Sequence, residues 1–395
     1  LAVTKSDYNI VRGFLVDVIE TKPNATGFTQ DRSVTDLYFD SHITKQLSPR
    51  LRAIAGIDHL FGRGRADSGL YDYFVPLSGA SRPHNPQPNE ESHLTDRRDF
   101  SGVYGSTEWT ATSRLRIDIG ARLNHTSESK HAEDAGGTSS DRRTFTRFSG
   151  GVGANFRVWS RDRDAVAVYA DYRNTFKPAA IDFGPEVEGR ILDPEKSHSV
   201  EAGVKGRSFR SRLTWDASVF QMDFSNLVVA TIRNGQPAIE NAGAERFRGG
   251  ELELDYAVRD DFHWELGYGY HDSRFRDYAQ NFGGAVTQLA GRRLEMVPLN
   301  LFSTGIVITQ PGGFHANVVV NYIGERFLNR RNTAIASAYT TWSAGIGYRI
   351  AKGELRLDGR NLNNVRPPVA ESELGDAQYY RLPARVWDVS YRMSF

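Results

Sequence analysis

The sequence predicts an all-β protein, an antiparallel transmembrane β-barrel, on three observations. Apolar and polar residues alternate along most of the chain, the links between alternating segments are short and long by turns, and the polar faces carry too much charge for a dry core. Successive side chains of a strand point to opposite faces, so each alternating run has one apolar and one polar face. In a membrane barrel the apolar face meets lipid and the polar face lines the lumen.

In chain order, strands are expected near 7–19, 34–46, 50–63 and 99–111. Next, Leu115, Ile117, Ile119, Ala121 and Leu123 oppose Arg116, Asp118, Gly120, Arg122 and Asn124. Segments near 145–158, 163–175, 197–207 and 210–224 follow, then Leu252, Leu254, Tyr256 and Val258 against Glu251, Glu253 and Asp255. Runs near 262–275, 294–309 and 313–326 precede Trp342, Ala344, Ile346, Tyr348 and Ile350, which oppose Ser343, Gly345, Gly347 and Arg349. Leu355 and Leu357 oppose Arg356, Asp358 and Arg360. The last run is the cleanest: Trp387, Val389, Tyr391, Met393 and Phe395 point one way, and Asp388, Ser390, Arg392 and Ser394 the other. The total is about sixteen strands.

Tight links stand at Leu47–Arg50, Ala111–Ser113, Ser160–Arg163, Arg259–Asp261, Gln310–Gly313 and Ala351–Gly353, rich in turn-forming residues. Between them come long polar links at 64–98, 129–143, 176–196, 276–293, 327–338 and 365–380. Short turns on one side and long loops on the other are the layout of an outer-membrane barrel, with the short side periplasmic. A soluble sandwich or propeller also alternates, but no repeat and no proline-rich linker divides this chain. Burying Arg116, Asp118, Arg122, Glu251, Glu253, Asp255, Arg356, Asp358 and Arg360 in a dry core would cost about several kcal/mol each unless paired, a cost that a wet lumen removes.

Composition agrees and excludes other classes. The chain has 395 residues, 25% of them charged, with Gly 37, Tyr 17, Phe 22 and Trp 6. Mean hydropathy is −0.49, and no run of about 18 apolar residues offers a membrane-spanning helix. Cys 0 rules out a disulfide framework and a thiolate metal site. Net charge is +1, with Arg dispersed among Asp and Glu, unlike a nucleic-acid-binding patch. Leu1–Asp7 lacks the basic start and apolar stretch of a signal peptide, so either processing has removed one or the chain begins inside a longer protein. No Gly-x-Ser-x-Gly elbow, His-Glu-x-x-His or P-loop is present, and no cofactor is implied.

Four stretches carry a family resemblance. They are Tyr172–Ala180 with Leu192–Lys205; Phe220–Val228 with Glu240–Gly243 and Arg248–Glu253; Arg293–Asn300; and Gly359–Asn364 with Tyr379–Arg385 and the terminal Phe395. In order and spacing these resemble the C-terminal part of a TonB-dependent outer-membrane receptor. The resemblance implies a monomeric barrel of about twenty-two strands, of which sixteen are seen here. It also implies an N-terminal plug and a coupling box engaging TonB, both absent from this chain, so residues 1–395 are expected to be barrel alone. The implied cargo is a ferric siderophore or similar iron complex, in a bacterial outer membrane, with no covalent chemistry. Phe395 resembles the signal read by the barrel assembly machinery. A passive porin is the alternative, since about sixteen strands can also close as an open channel. An outer-membrane hydrolase with dispersed catalytic groups is a third reading.

Cargo should meet inward side chains near the outer rim and the long loops. Arginine offers forked donors with permanent charge, and tyrosine a stacking face, for anionic aromatic complexes. The candidates are Tyr71, Tyr73, Arg173, Phe176, Arg274, Tyr278, Arg292, Arg293, Arg330, Arg331, Tyr379, Tyr380 and Arg381. The same residue types also serve as solvated loop charges and as an interfacial aromatic girdle. No metal site is expected. His84 and His93, with Glu90 and Glu91, come nearest to one but match no standard spacing. Glu186, Glu188, Asp193 and Glu195 form an acidic loop without a calcium-loop pattern.

Overall fold

The computed structural model describes residues 2–16, 24–74, 88, 90–178, 191–233, 236–282, 285–350, 352–371 and 379–393. In chain order the strands are β1 (Ala2–Val16), β2 (Asn24–Ser48), β3 (Leu51–Phe74), β4 (Glu90–Thr110), β5 (Leu115–Asp134), β6 (Gly137–Arg161), β7 (Asp164–Lys177) and β8 (Glu195–Ser208). They continue with β9 (Leu213–Arg233), β10 (Gln236–Arg259), β11 (Phe262–Asp277), β12 (Ala279–Phe282), β13 (Ala285–Gln288), β14 (Asn300–Thr309) and β15 (Phe314–Ile323). The last are β16 (Arg326–Phe327), β17 (Ile335–Ala336), β18 (Tyr339–Ile350), β19 (Gly353–Arg360), β20 (Pro368–Glu371), β21 (Tyr379–Arg381) and β22 (Val386–Met393). Sixteen of them form one antiparallel sheet of sequential neighbours, β1 to β11, then β14, β15, β18, β19 and β22. Among the described residues no pairing joins β22 to β1.

The alternation read from the sequence is the alternation of the sheet. In one cross-strand row, Val103 of β4 pairs with Ile57 of β3 and Leu123 of β5, and Leu123 pairs with Phe148 of β6. All four are exposed. On the other face of the same strands Asp96, Asn124, Thr126, Glu128 and Lys130 are buried. The sheet therefore curls with its polar face inward and its apolar face outward. At the C-terminal end Val389 pairs with Leu357, which pairs with Ile346, again on the outer face.

The upper edge of the outer apolar face drifts along the sheet. It lies at Leu37 on β2, Leu123 on β5, Tyr172 on β7 and Tyr270 on β11, each placed by register against its neighbours. The drift is about one residue per strand, ~3.4 Å against a strand spacing of ~4.8 Å, which is a tilt of roughly 35°, as barrels require. On β5 the outward apolar positions run from Leu115 to Leu123. At that tilt they make a band roughly 22 Å tall, near the thickness of an outer-membrane hydrocarbon layer.

Several links differ from expectation. Residues 129–134 and 137–143 extend β5 and β6 into a hairpin closed by Ala135 and Gly136. β3 and β4 likewise run far into the expected link 64–98. Above the apolar band both faces are polar, as in the outward pairs His125–Thr146 and Ser127–Thr144, so the ladder continues where the alternating signal stops. β9 and β10 also extend, to Arg233 and from Gln236. Link 276–293 contains the small ladder β12–β13, and the ladders β16–β17 and β20–β21 overlap links 327–338 and 365–380 and run one residue beyond them, to Arg326 and Arg381. The strand expected at 294–309 begins only at Asn300, after Met296 at φ 59 and the donor-less Pro298. A tight turn at Phe209–Arg212 joins the strands expected near 197–207 and 210–224, although it holds no Gly, Pro, Asn or Asp. Phe209, Arg210 and Ser211 take φ 57, 61 and 63 there. Asp164 Oδ1 holds the turn by accepting from Ser211 N at 2.9 Å.

Candidate functional site

The inner face of β2–β5 is organised around Arg122. Its guanidinium crosses Gly102 on β4 to reach Asp58 on β3, with Nη2 2.6 Å from Oδ1. A Cβ on Gly102 would lie against both the guanidinium and the carboxylate, so only glycine leaves this path open. The guanidinium also lies 5.6 Å from the ring centres of Phe100 and Tyr104. Tyr104 donates to Asp40 Oδ2 at 2.8 Å, and Asp40 also meets His42 at 2.9 Å. Higher on this face, Arg98 forks onto Glu128 at 2.9 and 2.7 Å.

Phe176 enters the same group. β7 pairs with β6 only as far as Asn174, whose side chain takes over by accepting from Gly150 N at 2.8 Å. The strand then parts from β6, and Phe176 packs 6.0 Å from both Phe100 and Phe145. A groove of about 740 Å³ runs past Arg116, Arg122, Asp171 and Arg173. Arg173 is largely exposed, with Asp171 at 3.8 Å. Of the sequence candidates, Arg173 and Phe176 therefore belong to this region. Asp58, Phe100, Tyr104 and Phe145 were not among them, since only the cross-strand register brings them together.

A second cluster stands at the outer end, where the β11–β14 and β15–β18 links meet. Phe275, Tyr278, Leu289 and Leu294 are buried together, backed by Phe247, Phe282 and Val297. Arg330 Nε donates to Glu295 Oε1 at 2.8 Å, and its Nη1 reaches Tyr278 Oη at 3.3 Å and Gln280 Oε1 at 3.2 Å. Tyr278 in turn donates to Glu240 at 3.2 Å. Asn332 ties to the backbone of Arg293 twice, at 2.8 Å each way. Arg292 donates to the Arg331 carbonyl at 2.6 Å, Arg293 lies over Phe327 and Arg331 over Phe282. Tyr278, Arg292, Arg293, Arg330 and Arg331 thus converge as one group.

Burial pushes the Tyr278 phenol up to about 12. Glu245, inside the same group and above the apolar band, is pushed up to about 7, first by burial and then by the charge of Glu295, against the pull of Arg330. Among the described residues Glu245 Oε2 and Glu295 Oε2 have no hydrogen-bond partner.

Arg274 shares the outer face with Tyr268 and Tyr270 and pairs with Asp272 at 2.9 Å, and its Nη1 donates to the Gly291 carbonyl of the β11–β14 link at 2.9 Å. The remaining candidates lie apart. Tyr379, Tyr380 and Arg381 form β21, where Arg381 donates to the Arg366 carbonyl at 3.3 Å. The backbones of Tyr71 and Tyr73 pair with Gly27 and Ala25, while their side chains fall outside what is described. His84, Glu186, Glu188 and Phe395 also lie outside the described residues. His93 is on the outer face, 2.7 Å from Asp67. Asp193 is engaged by Arg143, and Glu195 by Lys177 and the Val228 amide. Among the described residues no three His, Asp or Glu side chains converge as a metal set.

A family model described as "TonB dependent receptor-like, beta-barrel" matches residues 3–363. The chain belongs to this family. Among its relatives, the ferrioxamine B receptor of Salmonella typhimurium strain SL1344 is 23% identical over 336 residues, covering 80% of this chain and 43% of the relative. The metal-pseudopaline receptor CntO of Pseudomonas aeruginosa PAO1 is 28% identical over 297 residues, covering 73% and 38%. The chain thus spans less than half the length of these relatives. The ferric yersiniabactin uptake receptor FyuA of Yersinia pestis shares the fold, with TM-score 0.72, 16% identity, all of this chain and 58% of that one. The siderophore receptor PiuA of Acinetobacter baumannii does likewise, with TM-score 0.71, 15% identity, and coverage of 98% and 64%. The polar face of this receptor barrel is its lumen, and the Arg122 and Arg330 groups stand on the lumen side.

Proposed function

We propose that this chain is the barrel part of an outer-membrane receptor that takes up a ferric siderophore or a related metal complex with energy supplied through TonB. The observation that carries this reading is the lumen group of Arg122, with Phe100, Tyr104, Phe145 and Phe176 beside it. With Nη1 and Nη2 on Asp58 and Nε on Asn124, Arg122 would offer the oxygens of an anionic complex the second N–H of each Nη, and ring faces suit its aromatic or apolar arms. The ion pair with Asp58 holds the guanidinium in place before cargo arrives, which lowers the ordering cost of binding. Arg173, on the same groove, would meet cargo earlier, and the Arg330 group would set the position of the two long links above it. The names of the relatives support a metal chelate as cargo.

In this reading the receptor is a monomer in outer-membrane lipid, TonB engages it outside residues 1–395, and the barrel assembly machinery reads Phe395. The test is growth of a strain lacking the intact gene on a panel of single iron sources, followed by uptake of the affected complex. Growth should fail on one source or a few related ones and return with the gene. Unimpaired growth and uptake on every source would overturn the reading. Arg122→Met should raise the half-saturating cargo concentration roughly tenfold, as expected when a guanidinium contact is lost.

A further inference from the structure

Two strands, β10 and β11, carry a cationic patch on the outer face, away from the lumen. Val219 of β9, Gly250 of β10 and Tyr270 of β11 form the uppermost row of the apolar band. The next two outward rows set Arg248 opposite Asp272, and Arg246 opposite Arg274. Arg276 follows on β11. Asp223 of β9 gathers several of these: Arg246 Nε donates to its Oδ1 at 2.6 Å, Arg276 Nη1 reaches the same oxygen at 3.3 Å, and the His198 ring lies 3.7 Å from Oδ2. Under this cover Asp223 is only 7% exposed although it faces out of the barrel. Arg274 takes Asp272 through Nε and the Gly291 carbonyl through Nη1, which leaves its Nη2 outward, and Arg248 donates to the neutral Gln221 at 3.0 Å.

Four guanidiniums therefore share two carboxylates. Arg246 and Arg274 are direct cross-strand neighbours, a like-charge pairing that destabilises a sheet unless a counter-charge lies between. Their height is informative. The two rows rise roughly 5–10 Å above the apolar band, which is the depth of the lipid headgroup layer. Arginine forks match phosphate oxygens two at a time. Tyr268 and Tyr270 stand just below with their rings at the interface.

We propose that Arg246, Arg248, Arg274 and Arg276 form a docking surface for a phosphate-bearing lipid headgroup of the outer leaflet. The full chain, purified in detergent, is titrated with lipid A bearing both phosphates and with lipid A stripped of them, and bound lipid is counted by native mass spectrometry. The phosphorylated lipid should be retained at least roughly tenfold more tightly, and more weakly as salt rises. Replacing Arg248, Arg274 and Arg276 together with glutamine should weaken its retention roughly a hundredfold, while lysine at all three should keep most of it. Heat-modifiable gel mobility reports whether each variant is folded. Equal retention of both lipids, or a folded glutamine variant that binds as well as the parent, would overturn the proposal. Full displacement of the lipid by excess inorganic phosphate would make this a free-anion site and overturn it too.

Discussion

Arg122 on β5 and Asp58 on β3 form an ion pair across an intervening strand, with Nη2 2.6 Å from Oδ1, because residue 102 between them has no side chain. The Asp58 side chain is 4% exposed, so its charge depends on that guanidinium. Gly102→Ala should force the arginine off its path and cost about 2–3 kcal/mol. Gly105→Ala is the control: a Cβ there meets the Ile54 carbonyl at an ordinary 3.5 Å. It should change stability by less than about 0.5 kcal/mol. Heat-modifiable gel mobility in detergent reads both. Equal melting of the two variants would mean that the pair does not need the open path.

Glu245 makes the outer cluster sensitive to pH. Burial lifts its carboxyl to about 7 from an ordinary 4.5, so the folded state favours the protonated form. Below the ordinary value both states hold the proton and stability is intact. As pH rises toward 7 the unfolded chain ionises first and stability is lost, and above 7 the loss is complete. It amounts to about 3 kcal/mol. Glu245→Gln should abolish this dependence and leave the protein more stable than the parent at pH 8. Melting curves at pH 5 and pH 8 decide it, and a parent protein equally stable at both would refute the argument.

The fold was largely legible in the sequence because lipid imposes the alternation. Trp387, Val389 and Tyr391 could be assigned to one face without any knowledge of their partners. The hairpin above Leu123 was not legible, because His125, Ser127 and Ser129 are as polar as the residues between them. The site was legible only in part. Arg330 and Tyr278 are chemically suggestive residues of two links, and the structure joins them. Arg274 is equally suggestive, yet strand parity turns it outward. Asp58 and Phe145 look like ordinary inward residues, and their meeting with Arg122 and Phe176 depends on register and on where β7 leaves β6.

Arg330 ties the two outer links together, and its removal should release both. Arg330→Met takes away the donors to Glu295, Tyr278 and Gln280 and leaves Glu295 without its cation beside Glu245. Backbone amides of 278–299 and 327–336 should exchange with solvent roughly tenfold faster or more, since local opening then has one fewer anchor. Those of β14 and β15 should keep their protection. Hydrogen exchange read by mass spectrometry measures both sets, and unchanged exchange in the links would mean that the Phe275 cluster alone holds them.

The position of the lipid boundary on β5 can be tested by placing one charge at two heights on the same face. Ile119 lies within the outward apolar run, half exposed, opposite Thr107 and Val152. His125 lies one outward position above Leu123 and hydrogen-bonds Thr146 across the hairpin at 3.0 Å. An arginine near the bilayer midplane of a barrel costs about 2–4 kcal/mol, and one near the interface about 0–1 kcal/mol. Ile119→Arg should therefore cost about 2 kcal/mol or more and His125→Arg less than about 1 kcal/mol, measured by unfolding in lipid vesicles. Both substitutions keep the strand and its ladder, so the difference isolates the surroundings of the side chain. In detergent, whose belt is softer and thinner than a bilayer, the gap should narrow. A His125→Arg cost equal to that of Ile119→Arg would place the boundary above the hairpin base, and the drift of the apolar edge from Leu37 to Tyr270 would then no longer mark the headgroup level at Arg246 and Arg248.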